Sequence, residues 1–165
     1  MKTLLVMRHA KSDWGAAFSR DHDRPLNSRG EKAARHMGRF LADTRCVPEL
    51  VISSTAIRAL TTVELASDAG DWGCPIISNG SLYASDPERV LEVVAGVDPA
   101  VECLLIAGHE PTWSGLVGRL MGGGRVSMPT AAVACLDLQN GSWANLPNGA
   151  CQLRWLVTPK MLKRN

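Results

Sequence analysis

The sequence predicts an α/β fold: a three-layer α/β/α sandwich on a mainly parallel sheet, with an antiparallel portion near the C-terminus. Two patterns carry this expectation. Short apolar runs alternate with amphipathic stretches four times between residues 4 and 121, and such alternation gives parallel strands joined by helical crossovers on both faces of a sheet. Beyond Gly122-Gly123-Gly124 the alternation stops, and two strand-like runs follow with no helix between them, which favours an antiparallel pair. At 165 residues, the chain 1–165 is expected to form one domain. A chain of this size buries roughly 70% of its unfolded surface, so a core needs neither disulfide nor metal.

Leu4-Leu5-Val6-Met7 reads as a buried strand that ends abruptly in Arg8-His9. A polar segment, residues 11 to 27, follows with Asp13, Arg20, Asp21, His22, Asp23 and Arg24; loops this long in compact domains usually carry function. Ser28 with Glu31 fits a capping box opening a helix whose apolar face holds Ala33, Met37 and Leu41. Leu50 to Ser53 is a second buried strand, and Ser54-Thr55 leads into a helix ending near Gly70. Pro75 to Ile77 gives a third strand. Asp86-Pro87-Glu88 opens the next helix, with Asp as N-cap and Pro at the first position. Val101 to Ala107 is the fourth strand, broken at Gly108-His109-Glu110-Pro111, and a helix with Leu116, Val117 and Leu120 follows. The closing pair is Ala131 to Leu138 and Cys151 to Val157, joined through Asn140-Gly141 with turns near Pro147-Asn148-Gly149.

Bulk composition excludes several classes. Hydrophobic residues make up 45% and charged residues 21%, ordinary for a globular protein, and the net charge is only +2. With no dense Lys/Arg run, no nucleic-acid partner is expected, and Lys160, Lys163 and Arg164 read as a solvated tail. The first apolar run is too short for a signal segment and no run reaches a membrane span. The five cysteines are scattered, with no C-x-x-C, and three sit in strand-like contexts where a thiol acts as a small hydrophobe. That usage favours a reducing, cytoplasmic setting. Neither a P-loop nor a metal-ligand spacing is present: Gly122-Gly123-Gly124 leads to Arg125, and Glu110 has no histidine three residues on.

Chemistry converges at the carboxyl ends of the parallel strands, where ligands of open α/β sheets bind. Those ends supply Arg8-His9, then Ser53-Ser54 with Arg58 in the first helical turn beyond, then Gly108-His109. His9 alone would be an ordinary loop histidine. Two arginines and two histidines on one rim, one arginine at a helix N-terminus, instead suit a phosphoryl dianion.

These residues carry a resemblance. Arg8-His9, then Arg24-Pro25-Leu26 with Gly30, then Ser53-Ser54 with Arg58-Ala59 and Thr61-Thr62-Val63-Glu64, then Gly108-His109-Glu110-Pro111, taken in this order, resemble the histidine phosphatase superfamily. The set is most similar to its compact branch, the phosphohistidine phosphatases of SixA type, and spans nearly the whole chain. The resemblance implies that His9 attacks phosphorus and forms a phosphohistidine that water then hydrolyses. It implies that Arg8, Arg58 and His109 hold the phosphoryl oxygens, with Arg24 as a further phosphate or substrate contact. No metal or other cofactor is implied, because side chains supply the cations. Asp21 is the first choice for the leaving-group acid, with Asp23, Asp86 and Glu110 as alternatives. Where the superfamily usually has glycine after Arg-His, this chain has Ala10, which demands a backbone free of positive φ.

No room exists between Arg58 and His109 for a large cap. An imidazole leaving group is easily protonated, whereas an alkoxide needs acid help of about 10²–10⁴-fold. A capless, acid-poor site therefore favours N–P over O–P bonds. The function expected is a phosphatase of protein phosphohistidine, as on phosphotransfer domains. The alternatives are a phosphatase of small phosphomonoesters such as sugar phosphates, and a non-catalytic phosphate-binding domain. The partner is accordingly a phosphorylated protein domain or a small phosphorylated substrate. His22 and His36 read as structural. Trp14, Trp113 and Tyr83 read as packing residues or as walls of the site.

Overall fold

The computed structural model describes residues 1–139, 141–146 and 149–163. Its elements are β1 (Thr3–Arg8), α1 (Ser28–Asp43), β2 (Leu50–Ser54), α2 (Ile57–Gly70), β3 (Ile76–Asn79), α3 (Pro87–Ala95), β4 (Cys103–Gly108), α4 (Thr112–Leu120), β5 (Val133–Leu138) and β6 (Cys151–Val157). Short 3-10 turns lie at Asp21–Asp23, Gly80–Leu82 and Pro159–Leu162.

The strands form one sheet in the order β3-β2-β4-β1-β5-β6. The first four are mutually parallel, while β5 runs antiparallel to β1 and β6 antiparallel to β5. Side chains alternate across the sheet. Leu4 and Val6 of β1 therefore join one core with Val90 and Val94 of α3 and Leu116 and Val117 of α4. Leu5 and Met7 join the other with Ala34, Met37 and Leu41 of α1 and Val63 and Ala66 of α2. Burial on both faces explains why β1 and β4 read as unbroken apolar runs. The expected mixed α/β sandwich is what the chain forms.

Local differences have local causes. The N-cap of α1 is Asn27, whose Oδ1 accepts from Gly30 N at 2.8 Å, so Ser28 is the first helical residue and the capping box is out of register. Asp86 caps α3 as expected, accepting from Arg89 N at 2.9 Å. The turn residues Asn140, Pro147 and Asn148 lie outside the described residues, as does Arg164. The segment with Lys160 and Lys163 is more than a solvated tail: its 3-10 turn lies against α1, and Leu162 packs against the core that α1 covers. No described helix is long and apolar enough to cross a membrane.

Candidate active site

Sheet register sets the rim. In the β1–β4 pair Arg8 lies opposite Gly108, and the His9 main-chain N–H donates to Gly108 O at 3.0 Å. His9 and His109 thus leave adjacent strands at one level, and their ring centroids are 5.2 Å apart. Two glycines permit the close packing around them. A Cβ on Gly108 would sit 2.3 Å from the buried Trp113 ring, and one on Gly30 would sit 2.1 Å from Lys11 O. The first turn of α1 therefore presses directly on the backbone just beyond His9.

That backbone is held from two more sides. Ala131 N–H donates to His9 O at 3.0 Å. Ala10 N–H donates to Thr62 Oγ1 at 2.9 Å, and the Thr62 hydroxyl donates to Arg58 O at 2.6 Å. Ala10 is fully buried and its φ is not positive, so alanine fits without strain.

His9 is 7% exposed. Its Nδ1 lies 2.7 Å from Ala10 O. A carbonyl only accepts, so Nδ1 carries the proton and Nε2 keeps its lone pair. Burial lowers the His9 pKa to about 4, opposed by the Ala10 hydrogen bond and reinforced by Arg58, Arg8 and Arg24. The ring is therefore neutral at pH 7, with the Nε2 lone pair available.

Burial, then His9 and Arg58, likewise push His109 down to about 3. Its Nε2 is 2.8 Å from Ser54 Oγ, which already accepts from Ala56 N–H at 3.2 Å. Among the described residues the Ser54 hydroxyl has no other acceptor, so its proton goes to His109 Nε2, and Nδ1 carries the ring hydrogen as a donor.

The three arginines surround this pair. Arg8 Nη1 donates to Met128 O at 2.9 Å. Arg58 donates through Nη1 to Asp21 O at 2.7 Å and through Nη2 to Asp21 Oδ2 at 2.9 Å. Arg24 donates through Nη1 to Asp21 Oδ1 at 2.6 Å and through Nε to Ser12 Oγ at 2.9 Å, with its guanidinium stacked 3.6 Å over Trp14. The Tyr83 hydroxyl donates to Asp21 Oδ2 at 3.0 Å.

Among the described residues, four buried side-chain nitrogens lack a hydrogen-bond partner, and three belong here: Arg8 Nε, Arg58 Nε and His109 Nδ1. Buried donors left unpaired are costly. Three of them converging beside a neutral imidazole suit the oxygens of a tetrahedral anion. No group of three or more His, Cys, Asp or Glu among the described residues is arranged to hold a metal.

Arg8, His9, Arg24, Arg58, His109 and Asp21 are therefore all brought together. The acids expected as proton donors separate by environment. Asp23 pairs with Arg20 and His22, Asp86 caps α3, and Glu110 accepts from both the N–H and the hydroxyl of Ser114 in α4. Of the four, Asp21 is the one that hydrogen-bonds Arg24 and Arg58, while the charge of Glu110 acts on Arg8. Partial burial raises the Asp21 pKa, but hydrogen bonds from Arg58 and Tyr83 and the charges of Arg58 and Arg24 bring it below the ordinary carboxylate range. Asp21 is thus an ionised carboxylate here, the opposite of the form a proton donor needs.

Sequence reasoning assigned no role to Ser54, Thr62, Ser12 or the Met128 carbonyl. Thr62 carried a usable signal: a polar residue one helical turn beyond Arg58, on the face that proves buried. His22 is structural as expected, with Nε2 2.9 Å from Thr55 Oγ1 and its ring against Tyr83 at 4.9 Å. Trp113 is core, whereas Trp14 is 72% exposed at the mouth of the site.

Comparisons with known proteins place the chain among histidine phosphatases. The model of the histidine phosphatase superfamily (branch 1) matches residues 4–83. An uncharacterized protein of Mycobacterium leprae is 33% identical over 93% of this chain and 100% of its own length. The structure of the protein histidine phosphatase SixA complexed with tungstate is similar, with TM-score 0.83 and 25% identity, over 98% of this chain and 99% of that one. So is a structure assigned to phosphohistidine phosphatase SixA of Agrobacterium tumefaciens, with TM-score 0.80 and 28% identity over 96% and 98% of the two chains.

Proposed function

This chain belongs to the histidine phosphatase superfamily, SixA type, and from that premise we propose that it is a metal-independent phosphatase acting on phosphohistidine in a partner protein. The observation that carries the reading is the neutral His9 ring with Nε2 free, set beside the unpaired donors Arg8 Nε, Arg58 Nε and His109 Nδ1. Nε2 attacks phosphorus in line, an N–P bond forms, and the bond to the leaving group breaks. The guanidinium groups of Arg8 and Arg58 and the His109 N–H stabilise charge spreading onto the equatorial oxygens. Water then attacks the phosphohistidine, releases inorganic phosphate and restores His9.

Two features support a phosphoramidate substrate. The stretch between Arg58 and His109 is taken up by α2, β3, α3 and β4 with short connections, of which the turn carrying Tyr83 reaches the site, and this leaves no long segment to fold over it as a cap. Asp21, the carboxylate hydrogen-bonded to Arg24 and Arg58, is ionised, which suits a leaving imidazole that needs little help better than an alkoxide that needs much. The likeness to SixA structures supports the same substrate class. Five free thiols, three of them pushed up to about 11 or 12 by burial and so unreactive, support a reducing cytoplasmic location.

The test is transfer of labelled phosphate from a histidine-phosphorylated phosphotransfer domain and from a panel of phosphate esters. Acid-labile label is expected on wild type and absent from His9→Ala, with turnover faster on the N-phosphorylated protein and unaffected by EDTA. Preference for the esters would make the chain a small-phosphoester phosphatase. No trapping from any substrate would make it a phosphate-binding domain.

A further inference from the structure

A cavity of about 570 Å³ opens on the flank of the nucleophile segment. Six basic side chains line it: Lys11, Arg29, Lys32, His36, Lys160 and Lys163. No carboxylate does, and all six residues are exposed. Among the described residues, none of the five lysines and arginines enters an ion pair. The chain as a whole carries 18 basic against 16 acidic residues, so this is a local concentration and not a reflection of bulk charge. Like charges gathered around one concavity raise its positive potential and attract anions.

Position ties the cavity to the reaction. Lys11 follows His9 by two residues. Pro129 and Thr130 form another wall, and the next residue, Ala131, donates its N–H to His9 O. Both walls are thus continuous with the backbone that fixes the nucleophile. Folding makes this feature: its charges come from three separate stretches, at residues 11, 29–36 and 160–163.

We propose that this cavity docks an acidic segment of the phosphorylated protein substrate while the phosphohistidine enters at His9. The proposal rests on the phosphohistidine reading above and adds where the partner is gripped. A polypeptide fits better than a nucleic acid, because no Phe, Tyr or Trp side chain lines the cavity for bases to stack upon.

The test uses a phosphohistidine peptide flanked by Asp and Glu, its counterpart with Asn and Gln, both peptides unphosphorylated, and phosphoramidate. Wild type is expected to bind the unphosphorylated acidic peptide about tenfold more tightly than the amide peptide, an advantage that salt weakens. The Lys32→Glu, Lys160→Glu double variant is expected to lose that advantage, and kcat/KM for the acidic phosphopeptide falls with it through KM. Its turnover of phosphoramidate stays at the wild-type level, which also reports an intact fold. Equal affinity for the two peptides, undiminished binding by the double variant, or tighter binding of a single-stranded oligonucleotide would overturn the proposal. Selective binding of the acidic peptide without phosphate release from any N-phosphorylated substrate would keep the acidic docking site and remove the phosphohistidine reading instead.

Discussion

The Asp21 carboxylate accepts from Arg58 Nη2 at 2.9 Å while the Asp21 main-chain oxygen accepts from Nη1 of the same guanidinium at 2.7 Å. Its other carboxylate oxygen accepts from Arg24 Nη1 at 2.6 Å. One acidic residue therefore occupies, on two arginines, donors that a phosphoryl group would also use. It acts as an internal counter-anion, and on the function proposed above a substrate would compete with it.

Replacing the charge should reveal that competition. Asp21→Asn is expected to bind tungstate about five- to tenfold more tightly, because an amide accepts more weakly from a guanidinium than a carboxylate does. The inhibition constant for tungstate measures this, and an unchanged or weaker constant rules the competition out. The same variant tests a proton-donor role. If Asp21 gains a proton during turnover, ester hydrolysis falls by about 10²–10⁴-fold while phosphoramidate hydrolysis falls much less.

Arg58 carries the other half of this relationship. Arg58 is 5% exposed, yet among the described residues its side-chain hydrogen bonds go only to Asp21 and its Nε is unpaired. Arg58→Ala is expected to lower kcat/KM by about 10²–10³-fold, the scale for losing a preorganised donor. The melting temperature should move by no more than about 5 °C. Near wild-type turnover would show that the strand-end convergence does not form the catalytic site.

Much of this was legible in the residues. The continuous apolar runs at Leu4 to Met7 and Leu104 to Ala107 marked strands buried on both faces, and parallel pairing then forced Arg8-His9 and Gly108-His109 onto one edge. Periodicity was less informative where a single side chain decides the outcome. Asn27, not Ser28, caps α1, because capping depends on which side chain reaches an N–H, and neighbouring polar residues look alike in sequence. The protonation state of Asp21 was out of reach, since it depends on Arg58, distant in sequence, and on Tyr83 beyond β3. The basic cavity was invisible for the same reason: Lys11, Lys32 and Lys160 belong to no local run.

The depressed histidine pKa values have a sign that stability can report. His9 and His109 titrate at about 4 and about 3 in the fold, against an ordinary value of 6.5. Between about pH 6.5 and 4 the unfolded chain binds protons that the native chain refuses, so native stability falls as pH falls through that window. The contribution is fully present above pH 6.5. Asp21, with its pKa held low, loses its contribution only at more acid pH, below the ordinary carboxylate range. Thermal melts from pH 7 to pH 4.5 are expected to drop by roughly 5 °C or more. His109→Gln should flatten that slope, and an identical slope in the variant would show that His109 is not held neutral by the fold.

Thr62 makes the most specific demand on the site. Its hydroxyl oxygen accepts from Ala10 N–H at 2.9 Å and donates to Arg58 O at 2.6 Å, so one buried atom ties the residue after His9 to the helix that carries Arg58. Valine has the same shape but cannot accept, and Ala10 N–H would then be buried without a partner. The stability cost is about 1–3 kcal/mol. The functional cost should be larger in proportion, since losing this tether lets His9 and Arg58 shift relative to each other, and small misplacements reduce rate strongly. Thr62→Val is therefore expected to lower kcat by about tenfold or more with little change in KM for phosphoramidate. Thr62→Ser, which restores the hydroxyl while removing only a methyl group, should recover most of that kcat. If serine and valine variants show the same kcat, Thr62 serves packing alone and the tether has no part in positioning His9.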